Sequence, residues 1–177
     1  SVLFVNGCLH TQSSGPYQSM KHTAEALRDK GGKPLVIGSR SRNQTPILSD
    51  WEIETHAFSR IGPKSMHITP SMNKWVASSS EDWTLASMQG VWMYTNKIVS
   101  DFCRKSGKPY MISAHGNFNP VALQTSSLKK RLASRTIFRG MLKSATCYHA
   151  LTQAEYQMLR DFGITSPICI IGNGVTL

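Results

Sequence analysis

The chain has 177 residues, of which 40% are apolar and 17% are charged. This length fits one domain, and the apolar share supports a globular core, which excludes a disordered chain. The formal net charge of +10 favours an anionic partner. No apolar run approaches the roughly 18 residues that a membrane-spanning helix needs.

Apolar runs and helical periodicity alternate along the chain. The first run, Val2 to Val5, predicts a buried strand, and the next element is a helix from Tyr17 to Lys30 that ends at two glycines. Further strands are predicted at 34–38, 54–58, 65–69, 83–88, 109–113, 145–150 and 168–171, and further helices at 72–80, 91–105, 121–143 and 153–162. Because strands and helices alternate, we expect an α/β fold with a parallel sheet and helices on both faces.

Three loops follow predicted strands at the carboxyl edge of the sheet, where parallel sheets bind their ligands. The first loop, 6–16, precedes a helix, so its free backbone N–H groups favour an anion such as a phosphate. A plain turn capped by one of its serines is the alternative. The second loop is 89–92. The third, 114–120, carries His115, whose imidazole can reach a sugar hydroxyl or a phosphate, or can serve a structural role.

The cysteines and candidate nucleophiles form no recognisable site in the sequence. The four cysteines are far apart, and no Cys or His spacing matches a metal site. We therefore expect no metal, no cofactor and four reduced thiols in a cytoplasmic protein, with no obvious cysteine pair. No G-x-S-x-G elbow or other nucleophile set is present in the sequence.

Residues 102–154 contain no Asp or Glu and nine basic residues. Within them, 128–143 has an apolar and a basic side when it is drawn as a helix. It is either a solvated surface helix or an interfacial helix on anionic lipid; nucleic acid is less favoured because aromatic side chains for base stacking are nearly absent. The basic residues of this candidate membrane or anion surface are Lys129, Lys130, Arg131, Arg135, Arg139 and Lys143.

Short segments spread over nearly the whole chain match one protein family in type and in order. The segments are Ser14-Gly15-Pro16-Tyr17, Gln89-Gly90-Val91-Trp92, Ser113-Ala114-His115-Gly116, Asn119-Pro120-Val121-Ala122-Leu123, Ala150-Leu151-Thr152-Gln153-Ala154-Glu155 and Ile171-Gly172-Asn173-Gly174-Val175. Together they resemble the N-terminal domain of retaining, nucleotide-sugar-dependent glycosyltransferases of the group 1 or family 4 type, which have the GT-B fold.

The resemblance implies one half of a two-domain enzyme. In this family two Rossmann-like domains face each other across a cleft; the N-terminal one mainly receives the acceptor, and the C-terminal one holds the nucleotide-sugar and an E-x7-E pair. We therefore expect residues 1–171 to form the acceptor-side domain and 172–177 to begin the interdomain linker, with the second domain absent from this chain. The implied reaction moves a hexose from a nucleotide-sugar to a polysaccharide or lipid-linked acceptor, with the full-length protein lying in the cytoplasm and peripheral at the inner membrane face. The chain alone is expected to be inactive.

The resemblance also assigns site residues by position. Ser14 and Gly15 would approach the donor diphosphate, and His115 would be catalytic. The implied acceptor-side cleft consists of Tyr17, Gly90, Trp92, Gly116 and Asn117. Ser14 and Gln89 stand where the family usually has Gly and His. Two alternatives stay open: a non-catalytic domain that binds a nucleotide or glycan in the same cleft, and a basic adaptor for nucleic acid.

Overall fold

The computed structural model describes residues 1–9, 14–41, 52–62, 67–119 and 136–174. The strands of this part are β1 (Val2–Asn6), β2 (Pro34–Arg40), β3 (Thr55–Ser59), β4 (Leu85–Gln89), β5 (Tyr110–Ser113), β6 (Cys147–Ala150) and β7 (Ile168–Ile170). They form one parallel sheet in the order β3-β2-β1-β4-β5-β6-β7. The strand order reverses between β1 and β4, which creates the crevice where such sheets bind ligands.

Several of the described helices begin or end at residues suited to those positions. The helices of the described part are α1 (Gly15–Asp29), α2 (Pro70–Ser78), α3 (Tyr94–Ser106), α4 (Arg139–Ser144) and α5 (Gln153–Phe162). Ser14 caps α1 and Thr152 caps α5, each through a side-chain oxygen that accepts a backbone N–H. Gly107 and Gly163 end α3 and α5 in the left-handed conformation that glycine adopts readily. None of the helices in the described ranges is long and apolar enough to cross a membrane.

The core lies on both faces of the sheet because successive side chains of a strand point to opposite sides. Leu3 and Val5 of β1 belong to the larger buried cluster with Val76 of α2 and Val99 of α3. Phe4, between them, belongs to a second cluster under α1, which also contains Tyr17, Met20, Ala24 and Val36. The expected Rossmann-like α/β sheet with helices on both faces is therefore confirmed.

The differences from the predicted elements lie at ends and in connections. The helix predicted from residue 91 begins at Tyr94, because Gly90 has a φ of +75° and Met93 is extended as the N-cap. In place of the strand predicted at 65–69, the described part has an isolated antiparallel bridge between Ile61 and Ile68, and 63–66 lie outside it. Most of the helix predicted at 121–143 also lies outside the described residues, and α4 is its end.

Candidate functional site

His115 lies at the carboxyl edge of the sheet, directly beyond β5 and next to the end of β4. Gln89 pairs with Ser113 in the register of these strands, and its Oε1 lies 2.7 Å from His115 Nε2. Gln89 Nε2 donates to Ser87 Oγ at 3.3 Å, so Oε1 is the amide atom that accepts. His115 Nε2 therefore carries the proton, and Nδ1 of the neutral ring presents a lone pair.

The surroundings of His115 favour its neutral form. Burial lowers the pKa of this imidazole, the Glu155 carboxylate opposes that shift, and His149 adds to it. A neutral ring with its Nε2 proton already donated can accept a hydrogen bond at Nδ1, for example from a sugar hydroxyl. This arrangement suits a hydroxyl better than it suits the oxygen of a diphosphate, which has no proton to donate.

The turn after β5 is held by its own side chains. His115 and Gly116 both have positive φ, +47° and +73°. Asn117 Nδ2 donates to Ala114 O at 2.7 Å, and Trp92 Nε1 donates to Asn117 O at 3.4 Å. The Asn117 side chain thus donates a hydrogen bond within the turn, which stabilises the backbone conformation at His115.

Gly90 occupies the neighbouring strand end with a φ of +75°, and a β-carbon there would lie 2.9 Å from Met93 Cε. Asn96, fully buried in the first turn of α3, donates from Nδ2 to Gln89 O at 3.2 Å and to Gly90 O at 2.9 Å. These bonds fix the end of β4, which carries the partner of His115. The sequence analysis did not single out Asn96, since a lone Asn inside a helical pattern carries no distinctive signal.

Two of the residues assigned to the acceptor side contribute mainly to packing. Tyr17 is 3% exposed and lies in the cluster beneath α1. The ring of Trp92 is partly buried between Phe138, with centroids 5.9 Å apart, and Phe162, at 6.2 Å. Of the five residues that the resemblance assigns to an acceptor-side cleft, the fold brings Gly90, Gly116 and Asn117 beside His115.

Ser14 and Gly15 form the start of α1, at the carboxyl end of β1. Ser14 Oγ accepts from Tyr17 N at 3.4 Å, and a β-carbon on Gly15 would meet no atom within 4 Å. The backbone at Gly15 therefore faces open space at the positive end of a helix of 15 residues. The side-chain nitrogen of Asn6, at the end of β1, is buried and has no hydrogen-bond acceptor in the described part.

A cleft of about 530 Å³ opens beside Gly15, between α1 and the segment after β7. His22 and Ser19 of α1 line one side, and His149 lines the other. His149 Nε2 donates to Ile171 O at 2.7 Å, and its Nδ1 lies 3.1 Å from Ser113 Oγ. His149 thus connects β5 to the wall of the cleft, a role that its place within a short strand did not reveal in the sequence.

The described part of the candidate membrane or anion surface lies away from this edge. Arg139 and Lys143 lie on α4, which precedes β6 and so sits toward the amino ends of the strands. With α3 they line a groove of about 710 Å³ that also contains Arg104 and Lys105. Lys129, Lys130, Arg131 and Arg135 lie outside the described residues.

The cysteines lie closer together than the sequence indicates. All four are free thiols, as expected, but Cys147 Sγ and Cys169 Sγ are 4.0 Å apart across β6 and β7. Nowhere in the described ranges do three His, Cys, Asp or Glu side chains gather as metal ligands would.

Several solved structures share this fold at low sequence identity. HepE from Anabaena, in complex with UDP and glucose, superposes with a TM-score of 0.70 at 16% identity, over 98% of this chain and 44% of that one. A sucrose-phosphate synthase structure from Thermosynechococcus elongatus gives 0.68 at 13% identity, over 99% and 90%. MurG from Acinetobacter baumannii gives 0.56 at 14% identity, over 96% and 44%. The chain thus spans less than half the length of the HepE and MurG structures.

A search of the curated proteins finds no match to the chain. A family model does match: residues 14–177, which carry α1, the His115 turn and all the strands after β1, fit the model described as Glycosyltransferase Family 4. This chain therefore belongs to glycosyltransferase family 4, and its fold is that of a domain of the GT-B glycosyltransferases.

Proposed function

We propose that this chain is the N-terminal, acceptor-side domain of a retaining glycosyltransferase that moves a hexose from a nucleotide-sugar to a polysaccharide or lipid-linked acceptor. In this proposal residues 1–171 form the domain, 172–177 begin the linker, and a second domain binds most of the donor. The chain alone has one wall of the cleft and does not turn over.

The observation that carries the proposal is the neutral His115 beside Gln89 at the carboxyl edge of the sheet. Its Nδ1 lone pair can accept a hydroxyl hydrogen of the transferring sugar and so orient the ring for departure of the diphosphate. The open backbone at Gly15, at the start of α1, can stabilise negative charge as it develops on the leaving diphosphate. A neighbour with the same fold, HepE, is described in complex with UDP and glucose, which supports a nucleotide-sugar as donor.

We further propose that the basic residues at 129–143 attach the full-length protein to an anionic membrane. Lys143, Arg139 and Lys105 form no ion pair in the described part of the chain, whereas Lys97 and Arg104 both pair with Asp101. Ile137, which is 43% exposed, lies in the lining of the same groove. Unpaired cations beside an exposed apolar side chain are the combination that favours an anionic bilayer.

Transfer by the complete gene product, assayed with a panel of nucleotide-sugars, tests the proposed function. We expect His115→Ala to lower kcat by about 10²-fold or more, on the scale of losing one positioned polar group in the transition state. The matched control is His56→Ala, because His56 is a half-buried side chain on β3, at the far edge of the sheet from His115. Inversion of the anomeric configuration in the product would contradict the retaining mechanism, and an unchanged kcat in His115→Ala would contradict the site.

A further inference from the structure

Glu155 is a buried carboxylate whose partners are backbone N–H groups. Its side chain lies in the first turn of α5, and the residue is 6% exposed. Oε1 accepts from Gly116 N at 2.5 Å, and Oε2 accepts from Leu151 N at 2.7 Å. The two bonds join the turn after β5 to the end of β6, and no basic side chain forms an ion pair with this carboxylate among the described residues.

Ordinary helix capping explains only part of this arrangement. Thr152 and Glu155 have the spacing of a capping box, and Thr152 Oγ1 accepts from Glu155 N at 3.1 Å. In a capping box the glutamate would return the bond to the N–H of the capping residue. Here it bonds Leu151, one residue earlier, and a second backbone group from a different loop. Helix capping therefore does not explain the hydrogen bond from Gly116 N to Glu155.

The peptide group that donates this hydrogen bond lies between His115 and Gly116. The two residues it joins, His115 and Gly116, both have left-handed backbones, a conformation that a side chain such as that of His disfavours. Asn117 N donates to Ala114 O at 3.1 Å, which closes the turn on itself. The Glu155 carboxylate connects the same turn to the end of β6 and to α5. It therefore fixes the position of the His115 imidazole at the carboxyl edge of the sheet.

We propose that Glu155 is a positioning residue for His115, which holds the His115–Gly116 turn in place and keeps a negative charge next to the imidazole. The role of His115 rests on the function proposed above, whereas the hydrogen bond from Gly116 N to Glu155 does not. His115 and Glu155 therefore form a unit in which the second residue acts through the first.

The negative charge of Glu155 should raise the pKa of His115. The titratable groups that act on His115 are Glu155 on α5, which raises its pKa, and His149 on β6, which lowers it, against a larger lowering by burial. Replacement of Glu155 by the uncharged Gln removes the opposing influence. The pKa of His115 should therefore fall further below its usual range, while the size of the side chain is conserved.

The test on the isolated chain is an NMR titration of the His115 ring, together with the amide proton of Gly116. For Glu155→Gln we expect a lower His115 pKa, an upfield shift of the Gly116 amide because the charge-assisted bond is lost, and an unchanged fold by circular dichroism. The control is Glu25→Gln, which removes a partly exposed carboxylate that pairs with Lys21 at 3.8 Å. Unchanged values of both quantities in Glu155→Gln would overturn the proposal.

A measurement on the unsubstituted chain covers the case in which Glu155→Gln does not fold. In that chain the amide protons of Gly116 and Leu151 should lie downfield and exchange slowly with solvent, because both donate to the Glu155 carboxylate. A Gly116 amide that exchanges as fast as an exposed amide would overturn the contact.

Kinetics of the complete gene product separate the positioning role from the function. If His115 acts as the neutral base-like acceptor, Glu155→Gln moves the acid limb of the kcat profile to lower pH, whereas a purely structural role lowers kcat equally at every pH. An unmoved acid limb would overturn the positioning role. Absence of sugar transfer by the unsubstituted protein would instead contradict the proposed function, and would leave the NMR result to decide the contact.

Discussion

Replacement of Asn96 by Ala should destabilise the domain strongly for a single buried amide. Asn96 is fully buried, and its Nδ2 donates to the carbonyl oxygens of Gln89 and Gly90. Loss of this donor leaves two carbonyl oxygens at the end of β4 without that bond, each at a cost of about 1–3 kcal/mol when water cannot replace it. Ala is the better helix former by about 0.7 kcal/mol, which offsets a small part. We therefore expect a loss of about 1–5 kcal/mol in the free energy of unfolding.

Urea unfolding followed by circular dichroism measures this loss. The control is Asn173→Ala, because Asn173 is exposed and bonds Ser19 at the surface at 3.0 Å. A surface change of this kind should stay within about 0.5 kcal/mol of the unsubstituted chain. A loss below about 1 kcal/mol for Asn96→Ala would refute the reasoning, since water would then have to reach the two carbonyl groups.

Three further predictions concern charge, membrane binding and thiols. Burial lowers the pKa of His115, so the unfolded chain binds more protons than the folded chain near pH 6. The free energy of unfolding, measured by urea titration, should therefore fall as the pH drops below about 6.5. This fall should be smaller in His115→Asn. Each basic side chain near an anionic bilayer contributes about 1 kcal/mol, so replacing residues 129–131 by Gln should weaken co-sedimentation with anionic vesicles at low salt; equal binding by the variant would contradict the membrane surface. The mass of the unreduced chain should be that of a protein with four thiols. Cys169 pairs with His149 in the strand register, so it is offset from Cys147 by two residues, about 6.6 Å along the strands. This offset opposes a disulfide between the two cysteines. A mass lower by two hydrogens would contradict this.

Much of the fold could be predicted because its signals are local. Buried parallel strands appear as continuous apolar runs, and glycines mark the ends of α3 and α5. The start of α3 was predicted three residues early, since Val91 and Trp92 fit the apolar pattern of the helix although they pack before it begins. Hydrophobic periodicity indicates which side chains are buried, but it does not indicate at which residue the helical backbone begins.

The candidate site was predictable only where its residues stand next to strand ends. His115 follows β5 directly, and Gly15 begins the helix after β1, so topology alone places them at one edge. Glu155, Asn96 and His149 act through bonds to residues that are distant in sequence or to backbone atoms, and such partners leave no spacing to recognise. The short distance between Cys147 and Cys169 likewise depends on the pairing of β6 with β7.

An NMR titration of the chain with UDP-glucose tests most directly whether this edge of the sheet contacts a nucleotide-sugar. We expect weak binding, with amide shifts concentrated at Gly15, His115 and Gly116, and a loss of the shifts around residue 115 in His115→Ala. We expect little change at Arg104 and Arg139, which line the basic groove away from the carboxyl edge. Shifts confined to that groove, or no shifts at millimolar UDP-glucose, would contradict the assignment of the site.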